Sequence, residues 1–181
     1  MTHTVHAPAS SSAALPGFSN SRAQFEALVD SALAHAKKIG ATNAAAEASE
    51  GTGLSVSVRK GELENVERNR DKSLGITVYL GKRRGNASTS DFSPTALRQT
   101  VQAAYDIARF TAEDPVAGLP DEQDMANDYP DLDLFHPWNI KAEEAAQIAL
   151  RCEAAALATS KKISKFTGCS SGASKPIGSA N

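Results

Sequence analysis

Leu54, Val56 and Val58 alternate with Ser55, Ser57 and Arg59, and this period of two sets three apolar side chains on one face of an extended segment. Lys60-Gly61 follows at once, and glycine accepts the positive φ that a tight hairpin demands. The chain beyond Gly53 is therefore expected to reverse on itself as antiparallel strands. A second strand is predicted from Glu62 to Arg68, a turn at Asn69-Arg70-Asp71-Lys72, and a third strand from Ser73 to Leu80. Gly81-Lys82-Arg83-Arg84-Gly85 closes that strand, and Asn86 to Ser90 opens the next. A run of short strands this dense leaves little room for a catalytic site between Gly53 and Asp91.

Helices flank the strands. Ser21-Arg22-Ala23-Gln24 has the spacing of a capping box, and Phe25, Leu28, Val29, Ala32, Leu33 and Ala36 recur at helical spacing behind it. That helix should stop near Ile39, with Gly40 at the C′ position. Ala44 to Glu50 reads as a strand feeding the sheet. Ser93-Pro94 supplies an N-cap and an N1 proline for a second helix, whose stripe is Leu97, Val101, Ala104, Ile107 and Ala108 and whose end is near Phe110. A third helix is predicted from about Ile140 to Ala158, with Ala142, Ala145, Ala146, Ala149, Cys152 and Ala156 on one face. Between them, Thr111 to Asn139 holds eight carboxylates and four prolines but neither Lys nor Arg, which predicts an irregular surface connection anchored by Leu132, Leu134, Phe135 and Trp138. The sum is an α+β fold: a largely antiparallel sheet of short strands with two or three helices packed on it.

The chain has 181 residues, 41% of them hydrophobic, enough for one core. A net charge of −2 and a pI near 6.1 give no basic excess for nucleic-acid binding. Two cysteines, Cys152 and Cys169, are too few for a disulfide framework or a four-cysteine zinc site. Met1 to Ser19 is polar and rich in Ser, Ala and Pro, without the apolar core of a secretory signal, so residues 1–19 read as a disordered tail. No apolar run reaches the length of a membrane span. These features predict a cytoplasmic protein that engages neither nucleic acid nor membrane.

The candidate chemistry is sparse. Of four histidines, His3 and His6 fall in the tail, and His35 and His136 stand apart, with no His-Glu-x-x-His and no Cys-x-x-Cys. Asp128, Asp131, Asp133 and His136 are the densest set of potential ligands, but their pattern is that of a solvated acidic loop. Glu62, Glu64 and Glu67 lack an apolar setting to raise a carboxylate pKa, and fit better as a strand face paired with Arg59, Arg68 or Arg70. Lys82-Arg83-Arg84 could touch an acidic partner, though Gly81-x-x-x-Gly85 lacks the ending of a phosphate-cradling loop. Cys152 reads as a small core residue, and Cys169 has no activating neighbour. No catalytic, cofactor-binding or metal-binding residue is assigned.

Leu54 to Arg59, Gly61 to Glu67 and Leu74 to Tyr79, continued through Ala87 to Asp91, Thr100 to Ala104, Asp106 to Phe110 and Asp131 to Pro137, resemble in order the N-terminal domain of the PmbA/TldD family, nearest its PmbA (TldE) branch. The resemblance spans about Ser21 to Ser164 and sets the domain at residues 20–164. It implies a cytosolic zinc metalloprotease system, once labelled a modulator of DNA gyrase, that trims or degrades flexible peptides, including microcin precursors and an antitoxin. In that system a TldD-type subunit carries zinc on a His-Glu-x-x-x-His motif, and a PmbA-type subunit without metal ligands is its heterodimer partner. By this resemblance the chain is a non-catalytic N-terminal part of such a subunit, without a cofactor of its own, and zinc belongs to the TldD-type partner. Family members are much longer, and residues 165–181 depart from the pattern as an aperiodic, disordered tail, which predicts a truncation by frameshift or early stop after Ser164. The alternative is a stand-alone protein-interaction module that binds through Lys82–Arg84 or the acidic loop.

Overall fold

The computed structural model describes residues 18–124, 130, 136, 138–163, 170–171 and 179–180. The element order is α1 (Arg22–Lys38), β1 (Asn43–Arg59), β2 (Glu62–Leu80), β3 (Arg83–Thr89), α2 (Pro94–Phe110), a 3₁₀ turn (Glu122–Asp124), α3 (Ala142–Thr159), and two-residue strands β4 (Ser170–Ser171) and β5 (Ser179–Ala180). The sheet runs β3-β2-β1-β4, with β5 also on β1. The resolved registers are antiparallel: Leu74 lies opposite Thr89 at one end of β2–β3, and Leu80 opposite Arg83 at the other. This is the expected α+β arrangement, with three helices and an antiparallel sheet.

Local chemistry sets the ends of the elements. At the start of α1, the Gln24 amide donates to Ser21 Oγ at 3.3 Å, while the Ser21 amide donates to Gln24 Oε1 at 2.7 Å. Both halves of the capping box are therefore made. The helix ends as a Schellman motif: Gly40 has φ +98°, its amide donates to Lys37 O, and the Ala41 amide donates to Ala36 O. The Ser93 hydroxyl caps α2 by accepting from Ala96 N, with Pro94 at the first helical position. Lys60 (φ 54°) and Gly61 (φ 77°) both turn left-handed, which is the two-residue type I′ hairpin that matches strand twist.

Two sequence expectations are corrected. Asn69-Arg70-Asp71-Lys72 forms no turn, because β2 is one 19-residue strand from Glu62 to Leu80. The 17-residue β1 is its hydrogen-bonded neighbour, and four polar side chains that stay exposed do not resist extension. Likewise Gly85 belongs to no turn. The reversal is confined to Gly81-Lys82, with φ +59° at Gly81, and Gly85 lies buried inside β3.

Contacts divide the chain into two compact units, and β1 and β2 contribute one half of each strand to each unit. In the first, α1 and α2 join the sheet portions Asn43–Glu50, Asp71–Leu80 and β3. Phe25, Val29 and Leu33 of α1, Leu97, Val101 and Ala104 of α2, and Leu74, Ile76 and Val78 of β2 form its core. Each large apolar side chain buried there contributes roughly 1.5–3 kcal/mol. In the second unit, Val56 packs with Ala145 and Ala146 of α3, flanked by Leu54 and Ile140.

The small-residue face of α3 is also corrected in part. Ala145, Ala146 and Ala149 are buried as expected, but the fourth buried residue is Glu153, and Cys152 is exposed. Trp138 is 55% exposed, not buried as the expected anchor would be. Leu132, Leu134 and Phe135 lie outside the described residues, as do 1–17 of the expected tail. Of residues 165–181, only β4 and β5 are described, paired with Val56-Ser57 and Ala46-Glu47 of β1.

Candidate peptide-binding sheet face

In the first unit, alternation gives the three strands two unlike faces. Ala46, Ala48, Leu74, Ile76 and Val78 point into the helix-covered core. The opposite face carries Ala45 and Glu47 from β1, Gly75 and Thr77 from β2, and Asn86 and Ser88 from β3, which together line a shallow open trough. Register fixes their neighbours, with Gly75 opposite Ser88 and Thr77 opposite Asn86. Every one of these side chains except Glu47 is short, so an incoming chain can approach the sheet backbone closely. Hydroxyl, amide and carboxylate groups can hydrogen-bond a polypeptide there, but the trough contains no thiol, imidazole or amine for nucleophilic or acid–base work.

β3 is the terminal strand of the sheet, and among the described residues no strand pairs with its outer edge. It is held rigidly from behind. Gly85 backs directly onto α2, where an added Cβ would stand 2.5 Å from Ala108 N and 3.0 Å from Ile107 Cβ, and nearer still to Ala104 O. Only glycine admits so close an approach of helix to strand.

The turn that leads into β3 is pinned as well. Lys82 Nζ donates to Ala117 O at 3.0 Å, the Asp114 amide donates to Lys82 O at 2.9 Å, and Arg83 reaches Arg109 O at 3.3 Å and Glu113 at 3.5 Å. Two of the three cations in Lys82-Arg83-Arg84 are thus engaged within the chain, which weakens the case for that turn as a partner-binding patch. Beyond β3, Asp91 Oδ1 accepts from the Ser93 amide at 2.8 Å. That bond, a second from the Ser93 hydroxyl and the nearby Lys72 ammonium hold the Asp91 carboxyl below its ordinary value of 3.8. Lys72 also lies 4.8 Å over the Phe92 ring.

The remaining candidates do not converge. Glu62, Glu64 and Glu67 are exposed along β2, and Glu64 pairs with Arg59 at 3.3 Å. Asp128, Asp131, Asp133 and Cys169 lie outside the described residues, as do His3 and His6; His136 is exposed and His35 half-buried on α1. Among the described residues no three of His, Cys, Asp and Glu gather where they could hold a metal ion. Those residues do not fit a zinc centre.

Two carboxylates escaped the sequence reading. Glu50, 2% exposed, accepts from the Ser19 amide at 2.9 and 3.1 Å, the Asn20 amide at 3.2 Å and Asn20 Nδ2 at 3.0 Å. It thereby fixes the chain just ahead of α1. Glu153, also 2% exposed, accepts from the Lys60 amide through Oε1 and the Gly61 amide through Oε2, each at 2.7 Å. These charge-assisted bonds clamp the β1–β2 turn. Through these bonds both residues hold structure. Their signal was parity: Glu50 continues the buried series Ala46, Ala48, and Glu153 falls one turn after Ala149.

Comparison with known proteins agrees with this reading of the fold. The family model for PmbA/TldA metallopeptidase domain 1 matches residues 44–108, which run from β1 to the last turn of α2. Over these residues the chain resembles the first domain of the PmbA/TldD family. It is 55% identical over 117 residues to the metalloprotease PmbA of Escherichia coli O157:H7, covering 65% of this chain and 26% of that protein. A PmbA homolog from Haemophilus influenzae is 47% identical over 119 residues, covering 66% and 26%. The chain therefore spans about a quarter of the length of these relatives. Among solved structures, TldE from Thermococcus kodakarensis superposes with a TM-score of 0.56 at 14% identity, covering 81% of this chain and 33% of that one. A Bacteroides thetaiotaomicron protein described as a candidate modulator of DNA gyrase gives 0.65 at 21% identity, covering 82% and 33%. At these identities the structures show a shared fold and nothing further. No helix among the described residues is long and apolar enough to cross a membrane.

Proposed function

We propose that this chain is the N-terminal, non-catalytic part of a PmbA/TldE-like subunit in a cytosolic zinc metalloprotease complex, and that it helps hold flexible peptides for a TldD-type subunit that supplies the zinc. Its means is main-chain pairing of an extended peptide along the outer edge of β3, which reads backbone and tolerates varied sequence. The observation that carries this reading is the terminal position of β3, locked onto α2 through Gly85 and bordering a sheet face of small polar residues. A rigid edge spares a bound peptide the cost of ordering its receptor. The similarity to PmbA proteins supplies the reaction class, and the trough supplies groups that can hydrogen-bond a polypeptide.

The test combines co-purification and metal analysis. This chain, mixed with the TldD-type protein of the same organism, is expected to co-elute with it, and zinc is expected to follow the TldD-type protein alone. Asn86→Pro, which removes a main-chain donor from the outer edge of β3, should abolish binding of a fluorescent unstructured peptide and leave the circular dichroism unchanged. Stoichiometric zinc in this chain by itself, or peptide binding indifferent to Asn86→Pro, would overturn the reading.

A further inference from the structure

The two-residue reversal at Gly81-Lys82 decides which main-chain groups of β3 face outward. Leu80 and Arg83 flank it and lie opposite each other, the hydrogen-bonded position of such a hairpin. Alternation then makes Tyr79–Arg84 and Thr77–Asn86 non-hydrogen-bonded pairs. Tyr79 O agrees, since it turns away from β3 and accepts from the Thr42 amide, just ahead of β1, at 2.9 Å. The N–H and C=O groups of Arg84, Asn86 and Ser88 therefore point to the outer edge, and their side chains stand on the trough face. Gly85, between them, faces α2, where Ile107 Cβ would lie 3.0 Å from an added Cβ and the Ile107 residue is 47% exposed. Arg84 is the unengaged member of its basic run. Lys82 and Arg83 are tied to Ala117 O, Arg109 O and Glu113. The exposed Arg84 side chain makes no ion pair or hydrogen bond among the described residues.

We infer that Arg84 and Ile107 make the edge of β3 selective for extended peptides in which an acidic side chain adjoins an apolar one. This selectivity rests on the peptide-holding role proposed above. A strand paired with that edge shares its two faces, because residues directly opposite project to the same side. The peptide residue opposite Arg84 therefore lies on the trough face, where the guanidinium can meet a carboxylate with two N–H donors. Its chain neighbour, beside Gly85, projects to the helix face and meets Ile107. An apolar side chain there covers part of the exposed isoleucine and leaves water. A basic residue opposite Arg84 would set like charge beside like, so the edge discriminates by repulsion as well as by attraction. Farther along, Asn86 and Ser88 carry no charge and admit varied side chains. The class of ligand is thus an acidic–apolar step within an otherwise variable segment, with main-chain pairing common to all.

Fluorescence anisotropy on the 181-residue chain tests this with labelled unstructured peptides, amidated at the C-terminus so that no terminal carboxylate competes. They carry a central Val-Glu-Val, Val-Gln-Val or Val-Lys-Val and are otherwise identical; valine on both sides serves either chain direction. The wild-type chain is expected to bind the glutamate peptide about fivefold more tightly than the glutamine peptide. The lysine peptide should bind more weakly still, and the differences should shrink as salt rises. Arg84→Gln should erase the preference for glutamate and leave the affinity of the glutamine peptide unchanged. Arg84→Glu should invert the order in favour of lysine. Ile107→Ser should weaken the Val-Glu-Val peptide but not its Ser-Glu-Ser counterpart. Both side chains are exposed, so circular dichroism should show an unchanged fold. Equal binding of all three peptides by the wild-type chain, still lost in Asn86→Pro, would overturn this selectivity and leave the peptide-holding role standing. A glutamate preference that survives Arg84→Gln, or an equal loss of both peptides in Ile107→Ser, would overturn it too. Binding of no peptide at all would overturn both.

Discussion

Substituting Gly85 by alanine tests the claim that β3 is held rigid by direct contact with α2. The new Cβ would stand 2.5 Å from Ala108 N and 3.0 Å from Ile107 Cβ, where ordinary contact needs about 3.5 Å or more. These obstacles are backbone and a Cβ, which cannot swing aside as a long side chain would. The helix must therefore lift by roughly 1 Å, and a gap of that order forfeits about a quarter to a half of the dispersion well. The face that lifts carries Leu97, Val101, Ala104 and Ala108, all buried, whose burial together contributes on the order of 5–8 kcal/mol. The expected loss is thus about 2–4 kcal/mol, in the upper range for overpacked cores. At roughly 2–4 °C per kcal/mol, Tm should fall by about 6–12 °C at the middle of that estimate. Urea unfolding followed by far-ultraviolet circular dichroism should show a lower midpoint with an unchanged slope. Gly75→Ala is the matched control, since the nearest atom to its added Cβ is Glu47 O at 4.0 Å. It should be neutral or stabilise by up to about 1 kcal/mol. Equal, small effects at both positions would refute the close approach of α2 to β3.

Glu153→Gln places an amide N–H₂ beside two backbone donors, so one bond of the turn clamp is lost; a cost of about 1–3 kcal/mol is expected in chemical denaturation. Glu50→Ala removes the acceptor for the Ser19 and Asn20 amides, and hydrogen exchange at the start of α1 should accelerate. Because the folded pKa of Asp91 lies below its ordinary value, its contribution to stability is fully present above the unfolded pKa near 4. It is lost as pH falls further through the folded value. Asp91→Asn should therefore lower stability at neutral pH, leave it comparatively unchanged at low pH and so flatten the acid limb of the stability curve, as acid titration of unfolding would show. Cys152 is exposed on α3, and a maleimide should label it in the native chain at the rate of a free thiol.

What the sequence disclosed and what it withheld follow from the range of the physics involved. Ser21 and Gln24, Gly40, Ser93 and Pro94, and Lys60-Gly61 each act on backbone groups within four residues, and at all of them the ends of elements were legible in advance. Asn69-Arg70-Asp71-Lys72 shows the limit of local reading. Its turn-forming composition is real, but extension there is decided by the neighbouring strand β1, which lies outside the local stretch of chain. Gly85 shows the same limit from the other side. Two glycines around three cations look like a loop until α2 is laid across the strand, and then one of them becomes the contact that fixes the edge. The open trough was illegible for a related reason, since Ala45, Gly75, Thr77, Asn86 and Ser88 are unremarkable singly and form a surface only once the three strands are in register. The charged edge of β2 joins both cases. Glu62, Glu64, Arg68 and Arg70 can be read as a solvated strand face from composition alone. Only the end of the β3 ladder at Leu74 shows that they lie on a stretch of β2 that β3 does not accompany.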